Sequence, residues 1–465
     1  MSPSIRTPPA VLASLRAEVE RARAALPLQT ASLRELFELF TTRRSQLPRL
    51  NYLDDPRLRL AYLRYHVPLN VARATCVLED VLRMRPEAAE WENVVDLGAG
   101  PGSASLATLA RLPSTTRRHY VLTDRSRGAL KLARELLEST ARGLGAEPPK
   151  ITTRIEKLPS IPAIEPRSIV WLAMVLNELL ASGKRGFDPV ALVRRIEARM
   201  PERSILILVE PAQREPGRRL LEVRDVFAAS RAWRILGPCT HARSCPLLRA
   251  AHRPWCHFHF EWEADPLTRD IARPLGLEDE TGAFSYLAIE RGVEDAAKSR
   301  SRQPSAGDEQ EKERARVIGD PMWVAGGVPG IYLCRDGRRE TLREPEAAIV
   351  RGDVVKVRDR KVEIEAEWPG FDNESRARRA HAEPSRAEVD DDASSSSERG
   401  RIKEGGRDDE RQRDGRRRRT PDRSRGGERG RSMPNREGKR ERGERKDAPS
   451  LERRDAKRSR SDSRE

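Results

Sequence analysis

The chain has 465 residues, 35% of them charged, with a formal net charge of +16 and a pI of about 10.1. This length allows two or three domains, and the excess of basic residues favours a polyanionic partner such as nucleic acid. The sequence lacks the roughly 18 consecutive apolar residues that a membrane-spanning helix needs. Its N-terminal segment contains acidic residues and no continuous apolar run of the secretory type. We therefore expect a cytoplasmic protein, or a mitochondrial one if the source is eukaryotic.

Residues 1–90 are predicted to form a helical region. Val11 and Leu15 fall on one face of a segment that has prolines at both ends, as expected for an amphipathic helix. A second long apolar segment is interrupted at Pro68 and contains Cys76. We interpret Cys76 as a buried core thiol rather than a chemically active group.

Residues 91–294 alternate between short apolar runs and helical segments. The runs read NVVDLG, HYVLTD, SIVWLAMV, SILILVE, WRILG and FSYLAIE. Apolar runs of this length separated by amphipathic helices predict an α/β domain, with a largely parallel sheet and helices on both faces.

A glycine-rich loop follows the first of these runs. The run ends at Asp96, and Gly98, Gly100 and Gly102 come next. Glycines there let the backbone turn sharply and approach a ligand at the carboxyl end of a strand. The next run ends at Asp124, 28 residues after Asp96, where a carboxylate can accept hydrogen bonds from both ribose hydroxyls. No Lys-Ser or Lys-Thr pair follows the glycines, which excludes a phosphate-binding P-loop.

This loop resembles the S-adenosylmethionine site of class I methyltransferases. The resemblance implies a Rossmann-like class I methyltransferase fold and S-adenosylmethionine as the cofactor. In that family the first strand and its loop hold the methionine part, and the acidic residue after the second strand holds the ribose. The cofactor-binding residues implied here are Asp96, Gly98, Gly100, Gly102 and Asp124.

No motif defines the catalytic residues. The run SIVWLAMVLNELL lacks the Asn/Asp-Pro-Pro-Tyr/Phe signature with which many base N-methyltransferases hold an exocyclic amine. Asn177 and Glu178 occupy the comparable place, and Glu210 ends the following run. Each is a candidate for contact with cofactor or substrate. The alternative is that Asn177 and Glu178 satisfy the strand-to-helix turn and that Glu210 stabilises the loop beginning at Pro211.

Residues 237–260 form a cysteine-rich insertion that contains three of the five cysteines, spaced as Cys239-x5-Cys245-x10-Cys256. So few cysteines in a long chain argue against a disulfide framework and for metal or catalytic roles. The spacing lacks the CxxC pair typical of zinc sites, although nearby histidines could complete one: His241, His257 and His259. Three clustered cysteines and one distant cysteine also satisfy an iron-sulfur (4Fe-4S) cluster, which takes four thiolates. A nucleophilic cysteine after Pro238, as in cytosine C5-methyltransferases, is a further alternative.

The C-terminal part divides into three segments by composition. Residues 295–316 are polar and predicted to be a linker, and residues 317–371 show the short alternating runs of a small β-module. Residues 372–465 contain few larger aliphatic residues, and residues 401–465 hold 25 Lys or Arg against 15 Asp or Glu, a net charge of +10. We expect a disordered basic tail with salt-dependent affinity for RNA; a solvated solubility tail is the alternative.

Several segments follow one another in the order typical of one family. They are YLRYHVPLNVARA, VVDLGAGPGSASLA, VLNEL, LVEPA, GPCTHARSCPLL, WCHF and FSYLAIER. In this order they resemble the mitochondrial small-ribosomal-subunit methyltransferase-like assembly proteins and their bacterial relatives. The resemblance implies action on the small ribosomal subunit during assembly and a four-cysteine 4Fe-4S site, to which the β-module contributes the last ligand. The implied ligands are Cys239, Cys245, Cys256 and Cys334.

Two functions are compatible with these expectations. The first is S-adenosylmethionine-dependent methylation of small-subunit rRNA, which relies chiefly on placing the nucleophile in line with the sulfonium. The second is a non-catalytic RNA-binding assembly factor that keeps the methyltransferase fold. In both, the partner is the small ribosomal subunit with its rRNA, no membrane is involved, and the protein is a monomer.

Overall fold

The computed structural model describes residues 5–23, 29–47, 49–112, 117–181, 187–230, 232–277, 281–292, 312–345, 348–358, 361–380 and 385–386. All of them fall in the first of two units, residues 1–393. The predicted basic tail from residue 387 onward and most of the predicted linker lie outside the described residues. No helix in the described part is both long enough and apolar enough to cross a membrane.

Within the described residues, nine strands form the central sheet. They are β1 (Ile5–Arg6), β2 (Asn93–Leu97), β3 (His119–Asp124), β4 (Lys150–Ile155), β5 (Ser168–Ala173), β6 (Ile205–Pro211), β7 (Trp233–Gly237), β8 (Phe258–Glu263) and β9 (Thr281–Arg291). Strands β4-β3-β2-β5-β6 are adjacent and parallel, the order 3-2-1-4-5 of doubly wound nucleotide-binding sheets. The predicted α/β fold class with a largely parallel sheet is confirmed.

The antiparallel strand β9 closes this sheet beyond β6. The other edge of β9 pairs with β8 near its start and with β7 near its end. Residues 238–257 therefore leave the sheet as a single excursion between β7 and β8. This excursion contains most of the cysteine-rich stretch.

Three strands of the central sheet fall outside the predicted apolar runs: the two-residue β1, and β4 and β8. β4 reads KITTRI, and of its residues only Ile151 is buried, so it shows no apolar run. β8 reads FHFEWE and buries Phe258, Phe260 and Trp262 at alternate positions. That period of two is typical of a half-buried strand, but it begins inside the cysteine-rich stretch.

Helices cover both faces of the central sheet. In chain order, the helices of the described chain are α1 (Pro9–Arg23), α2 (Gln29–Phe40), α3 (Pro56–Met84), α4 (Ser103–Arg111), α5 (Arg127–Leu144), α6 (Leu176–Leu180), α7 (Pro189–Glu197), α8 (Arg214–Ala228), α9 (Pro246–Arg249), α10 (Pro266–Ala272) and α11 (Asn373–Ala380). Val94 of β2 packs in the core that α3, α4 and α5 cover, and Val95 packs in the core under α7 and α8. Pro68 lies inside α3 without ending it, and Cys76 is fully buried, as expected.

The N-terminal region takes part in both the sheet and the candidate site. β1 pairs in parallel with β8. α3 begins after Asp55, whose side chain accepts a hydrogen bond from the Arg57 N–H and so caps the helix. α3 packs against α4, the helix that follows the glycine loop. This packing brings the middle of α3 beside that loop.

The β-module is a second, mostly antiparallel sheet. Its strands are β10 (Arg314–Val317), β11 (Met322–Val324), β12 (Val328–Arg335), β13 (Arg338–Arg343), β14 (Val354–Arg358), β15 (Lys361–Ala366) and β16 (Ser385–Arg386). They are ordered β15-β14-β10-β12-β11-β16, with β13 also on β12. Val317, Ile331, Leu333 and Val355 belong to its own small core. β10 begins inside the segment predicted to be a linker.

Ordered structure continues past residue 371, where the predicted tail begins. Arg376 of α11 pairs with Asp353 at 2.9 Å, and both side chains are buried. The helix sequence, NESRARRA, has almost no apolar residues. Because an ion pair rather than an apolar face anchors it, hydropathy does not reveal this helix.

Buried polar contacts join the β-module to the central sheet. Arg316 of β10 donates to Asp80 of α3 at 2.9 Å and to the Pro238 carbonyl at 2.7 Å. The Trp368 indole donates to the His259 carbonyl at 2.7 Å. These contacts hold the module against the excursion between β7 and β8.

Candidate functional site

A cavity of about 510 Å³ lies at the carboxyl ends of β2, β3 and β5, within the size range of small-molecule sites. Its walls come from the glycine loop, the segment before α3, the middle of α3 and the start of α6. The structure brings four of the five predicted cofactor residues to this cavity: Asp96, Gly98, Gly100 and Asp124.

The glycine loop needs glycine for both conformation and space. Gly98, Gly100 and Gly102 have positive φ angles of +72°, +52° and +82°, which residues with a Cβ disfavour. A Cβ at Gly98 would lie 2.6 Å from Cγ2 of Val175 on the facing wall. The Gly98 N–H donates to the Thr123 carbonyl at 2.8 Å, which ties the loop to the end of β3. Gly102, the fifth predicted residue, is the N-cap of α4.

Two carboxylates flank the loop, Asp96 buried and Asp124 partly buried. Asp96 accepts hydrogen bonds from the Ser105 hydroxyl and N–H at 2.7 and 3.3 Å, and burial raises its pKa to about 6. Asp124 accepts from the N–H groups of Ser126 and Gly100 at 2.7 and 2.9 Å. Burial raises the pKa of Asp124 as well. Backbone donors therefore orient Asp124 at the end of β3, where a ribose partner is expected.

Glu178 is the catalytic candidate that lines the cavity. It accepts a hydrogen bond from the Tyr52 hydroxyl at 2.7 Å and lies 3.8 Å from the Arg125 guanidinium. Burial raises the pKa of Glu178 to about 7, although the Tyr52 hydrogen bond and Arg125 oppose that rise. A carboxylate with this pKa can exchange a proton near neutral pH.

Glu210 and Asn177 have a different environment. Glu210 is fully buried and accepts hydrogen bonds from the N–H groups of Leu176 and Asn177 at 2.8 and 2.9 Å. Burial raises the pKa of Glu210 to about 8. Its contacts stabilise the turn between β5 and α6 rather than the loop beginning at Pro211, which was the alternative stated for Glu210. The Asn177 side-chain oxygen is buried and has no hydrogen-bond partner among the described residues.

Sequence reasoning missed the wall that the N-terminal region contributes. Tyr52, Tyr62, Asn70 and Arg73 line the cavity. Asn70 accepts a hydrogen bond from Arg73 at 2.7 Å and donates one to the Tyr62 hydroxyl at 3.1 Å. The available signal is weak: Asn70 and Arg73 are polar residues about one turn apart in a largely buried helix.

The structure also brings together the four cysteines named as cluster ligands. Cys239, Cys245 and Cys256 lie in the excursion between β7 and β8, Cys334 lies in β12, and all are free thiols. Burial raises the pKa of Cys334, and the other three thiols raise it further. Burial also raises the pKa of Cys256, and the nearby Cys239 and Cys245 thiols raise it further. All four are therefore within electrostatic reach of one another.

The three histidines of the zinc alternative are placed differently from each other. Nε2 of His241 lies 3.2 Å from Sγ of Cys334. Nε2 of His257 lies 2.6 Å from the Arg351 guanidinium. Nε2 of His259 is buried and has no hydrogen-bond partner in the described part of the chain. Of the three, His241 is thus the one placed against a cysteine.

Arginines surround the four thiols. Burial lowers the pKa of Arg224, but the adjacent Cys239 and Asp225 outweigh it and raise that pKa overall. Arg351 and Arg316 oppose the rise in the pKa of Cys256. Among the described residues, no group of three or more His, Cys, Asp or Glu side chains is arranged to hold a metal ion. The site is a set of four thiols in cationic surroundings.

Several solved methyltransferase structures are similar to part of this chain. The plantazolicin methyltransferase BpumL in complex with SAH is 9% identical, with a TM-score of 0.28, over 57% of this chain and 100% of that chain. Magnesium protoporphyrin IX methyltransferase (ChlM) from Synechocystis PCC 6803 with bound SAH is 13% identical, with a TM-score of 0.28, over 54% of this chain and 100% of that chain. A putative RNA methyltransferase from Pyrococcus horikoshii is 12% identical, with a TM-score of 0.26, over 46% of this chain and 85% of that chain. No curated protein matches the chain.

A family comparison covers most of the described chain. The family described as mitochondrial small ribosomal subunit Rsm22 matches residues 57–353, which is more than half of the 465 residues. The matched range contains α3, the glycine loop and the four converging cysteines. The doubly wound α/β fold and the small-subunit family, both expected from the sequence, are confirmed. The chain belongs to the mitochondrial small ribosomal subunit Rsm22 family.

Proposed function

We propose that this protein is an S-adenosylmethionine-dependent methyltransferase that acts on the rRNA of the small ribosomal subunit during assembly. One observation carries the proposal: the glycine loop, Asp96, Asp124 and Glu178 meet at one cavity at the carboxyl ends of parallel strands. This is where doubly wound sheets bind nucleotide-containing ligands. When bound, the cofactor supplies a methyl group on a sulfonium.

The residues of the cavity have separate roles in this proposal. The Asp124 carboxylate accepts hydrogen bonds from the ribose hydroxyls, and the glycine loop allows the ligand to approach the backbone. Glu178, held by Tyr52, accepts the proton that the target atom loses. The net charge of +16 supports an RNA target, because phosphate contacts dominate such binding.

We assign a 4Fe-4S cluster to Cys239, Cys245, Cys256 and Cys334, with zinc as the alternative. A zinc ion needs its sulfur ligands about 2.3 Å from one point, whereas a cluster takes one thiolate per iron. The four thiols influence one another electrostatically, and their number matches the four thiolates that a cluster takes, which supports this assignment. Arg224, Arg316 and Arg351 would offset the charge of its thiolates.

Transfer of a tritiated methyl group to purified small-subunit particles tests the proposed activity. We expect label in the rRNA fraction of immature particles, and none after the cavity is disrupted by Gly98→Val, since a side chain there meets Val175. Cofactor binding and particle binding without any transfer would instead support the non-catalytic assembly factor.

Asp124→Asn is expected to weaken binding of S-adenosylhomocysteine about 10- to 100-fold. A hydrogen bond to a charged group contributes about 1.5–3 kcal/mol, and each ~1.4 kcal/mol is a factor of about ten in affinity. Isothermal titration calorimetry measures the change. Glu138→Gln is the matched control, because Glu138 is half exposed on α5 and its ion pair with Arg134 is a surface one. Unchanged affinity in Asp124→Asn would contradict the assigned ribose contact.

The rate of methyl transfer is expected to rise with pH through about 7, because Glu178 must lose its proton before it can accept another. Tyr52→Phe removes a hydrogen bond that stabilises the charged carboxylate, so the midpoint of the pH profile should move upward. Tyr332→Phe is the control, since Tyr332 lies on β12 of the β-module and does not line the cavity. A flat profile in the wild type would remove Glu178 as the base.

A further inference from the structure

Arg73 is a cation that faces the cavity without a counter-ion. It lines the cavity on the middle of α3, and no carboxylate is among the described groups that shift its pKa. One terminal nitrogen donates to Asn70 at 2.7 Å. Its Nε is buried and has no hydrogen-bond partner in the described structure. Burial lowers the pKa of Arg73 to about 10, which reflects the cost of enclosing this charge.

Three buried arginines of the described chain are held by protein partners, although Nε of Arg218 and Nε of Arg224 are, like Nε of Arg73, buried without a hydrogen-bond partner. Arg316 pairs with Asp80 at 2.9 Å, and Arg376 pairs with Asp353 at 2.9 Å. Arg118 donates to the backbone carbonyls of Trp91 and Ala89. A desolvated cation without an anionic partner is costly, so Arg73, with its unpartnered Nε on the cavity wall, indicates an anionic ligand that is supplied from outside.

The position of Arg73 indicates which part of the ligand it contacts. Arg73 and Ala74 form one wall of the cavity, and Gly98 and Ser103, from the loop and the start of α4, line it as well. Asp124, the proposed ribose contact, ends β3. A ligand that has its ribose on Asp124 and passes along the glycine loop therefore extends its other end toward α3.

We propose that Arg73 binds the carboxylate at the amino-acid end of the cofactor, and that Asn70 is a positioning residue that orients the guanidinium. This inference rests on the proposed function, since it names the part of that cofactor which α3 recognises. The planar guanidinium can pair with a carboxylate through two parallel hydrogen bonds. Asn70 is itself held by the Tyr62 hydroxyl, so the pair is oriented before the ligand arrives.

The test compares S-adenosylmethionine with decarboxylated S-adenosylmethionine, which lacks only the carboxylate. By calorimetry on the full chain, the wild type should bind the carboxylate-bearing ligand about 10- to 100-fold more tightly. Arg73→Met should reduce that ratio to near one, because it lowers the affinity for S-adenosylmethionine and not the affinity for the decarboxylated form. Arg73→Lys should give an intermediate ratio, because lysine keeps the charge but lacks the bidentate geometry. Arg57→Met, at the exposed first turn of α3, is the control and should keep the wild-type ratio.

The ratio of two affinities within one variant does not depend on the folded fraction, so partial unfolding does not obscure the result. Equal weakening of both ligands by Arg73→Met would overturn the inference, because Arg73 would then only shape the cavity. Equal affinity of the wild type for the two ligands would overturn it and leave the proposed function intact. Binding of neither ligand to the wild type would overturn the proposed function, and this inference with it.

Discussion

Cys334→Ala is expected to abolish cluster binding: protein purified without oxygen should lose its iron and sulfide and should unfold at a markedly lower temperature. In the proposed site Cys334 comes from β12, whereas the other three ligands come from the excursion between β7 and β8. The metal group would thus connect the β-module to the central sheet. Binding free energy at such a site is folding free energy, on the order of 10 kcal/mol for structural zinc.

The fifth cysteine supplies a matched control for this substitution. Cys76 is fully buried in the core around α3, so Cys76→Ala removes a thiol without touching the proposed site. We expect wild-type iron and sulfide in Cys76→Ala, with only the modest loss of stability that a small core cavity causes. Unchanged iron in Cys334→Ala would contradict the fourth ligand. A measured content of one zinc and no sulfide per chain would support the zinc site instead of the cluster.

Arg316→Met is expected to lower the free energy of unfolding by about 3–5 kcal/mol, the usual cost of breaking a buried ion pair from one side. The side chains of Arg316 and Asp80 are 4% and 3% exposed, and they pair at 2.9 Å. Arg316 also donates to the carbonyls of Pro238 and Gly352 at 2.7 and 2.6 Å. The substitution leaves the Asp80 carboxylate buried without its cation, at the junction between α3 and the β-module.

Two further variants separate this effect from a general loss of charge. Arg358→Met breaks a more exposed pair with Glu313 on the same module, so it should leave the unfolding free energy close to that of the wild type. The double variant Asp80→Leu/Arg316→Met removes both charges and should recover much of the stability. Denaturant titration measures all of them. If Arg316→Met lies within about 1 kcal/mol of the wild type, the pair does not hold the junction.

The sheet could be predicted because its buried strands have strong local signals. β2, β3, β5, β6 and β9 lie between helices or other strands, and their continuous apolar runs reflect burial on both faces. β4 lies at the edge and is mostly polar, so it has no comparable run. α11 was missed for a related reason, because the Arg376–Asp353 pair rather than an apolar face anchors it.

The candidate site was predictable only where the motif is continuous. The glycine loop and Asp124 sit at the ends of adjacent strands, so sheet topology alone brings them together. Asn70 and Arg73 come from a helix whose buried residues point in many directions, and periodicity does not say which of its faces meets the loop. The placement of Cys334 beside His241 depends on the docking of the β-module. The family resemblance, not the cysteine spacing, suggested that residue.

The most direct test is a crystal structure of the full chain with S-adenosylhomocysteine. The proposed function predicts the ligand in the 510 Å³ cavity, with its ribose on Asp124 and its backbone contacts at the glycine loop, and the further inference adds its carboxylate on Arg73. An empty cavity in crystals grown with saturating ligand, or a ligand bound elsewhere, would contradict it.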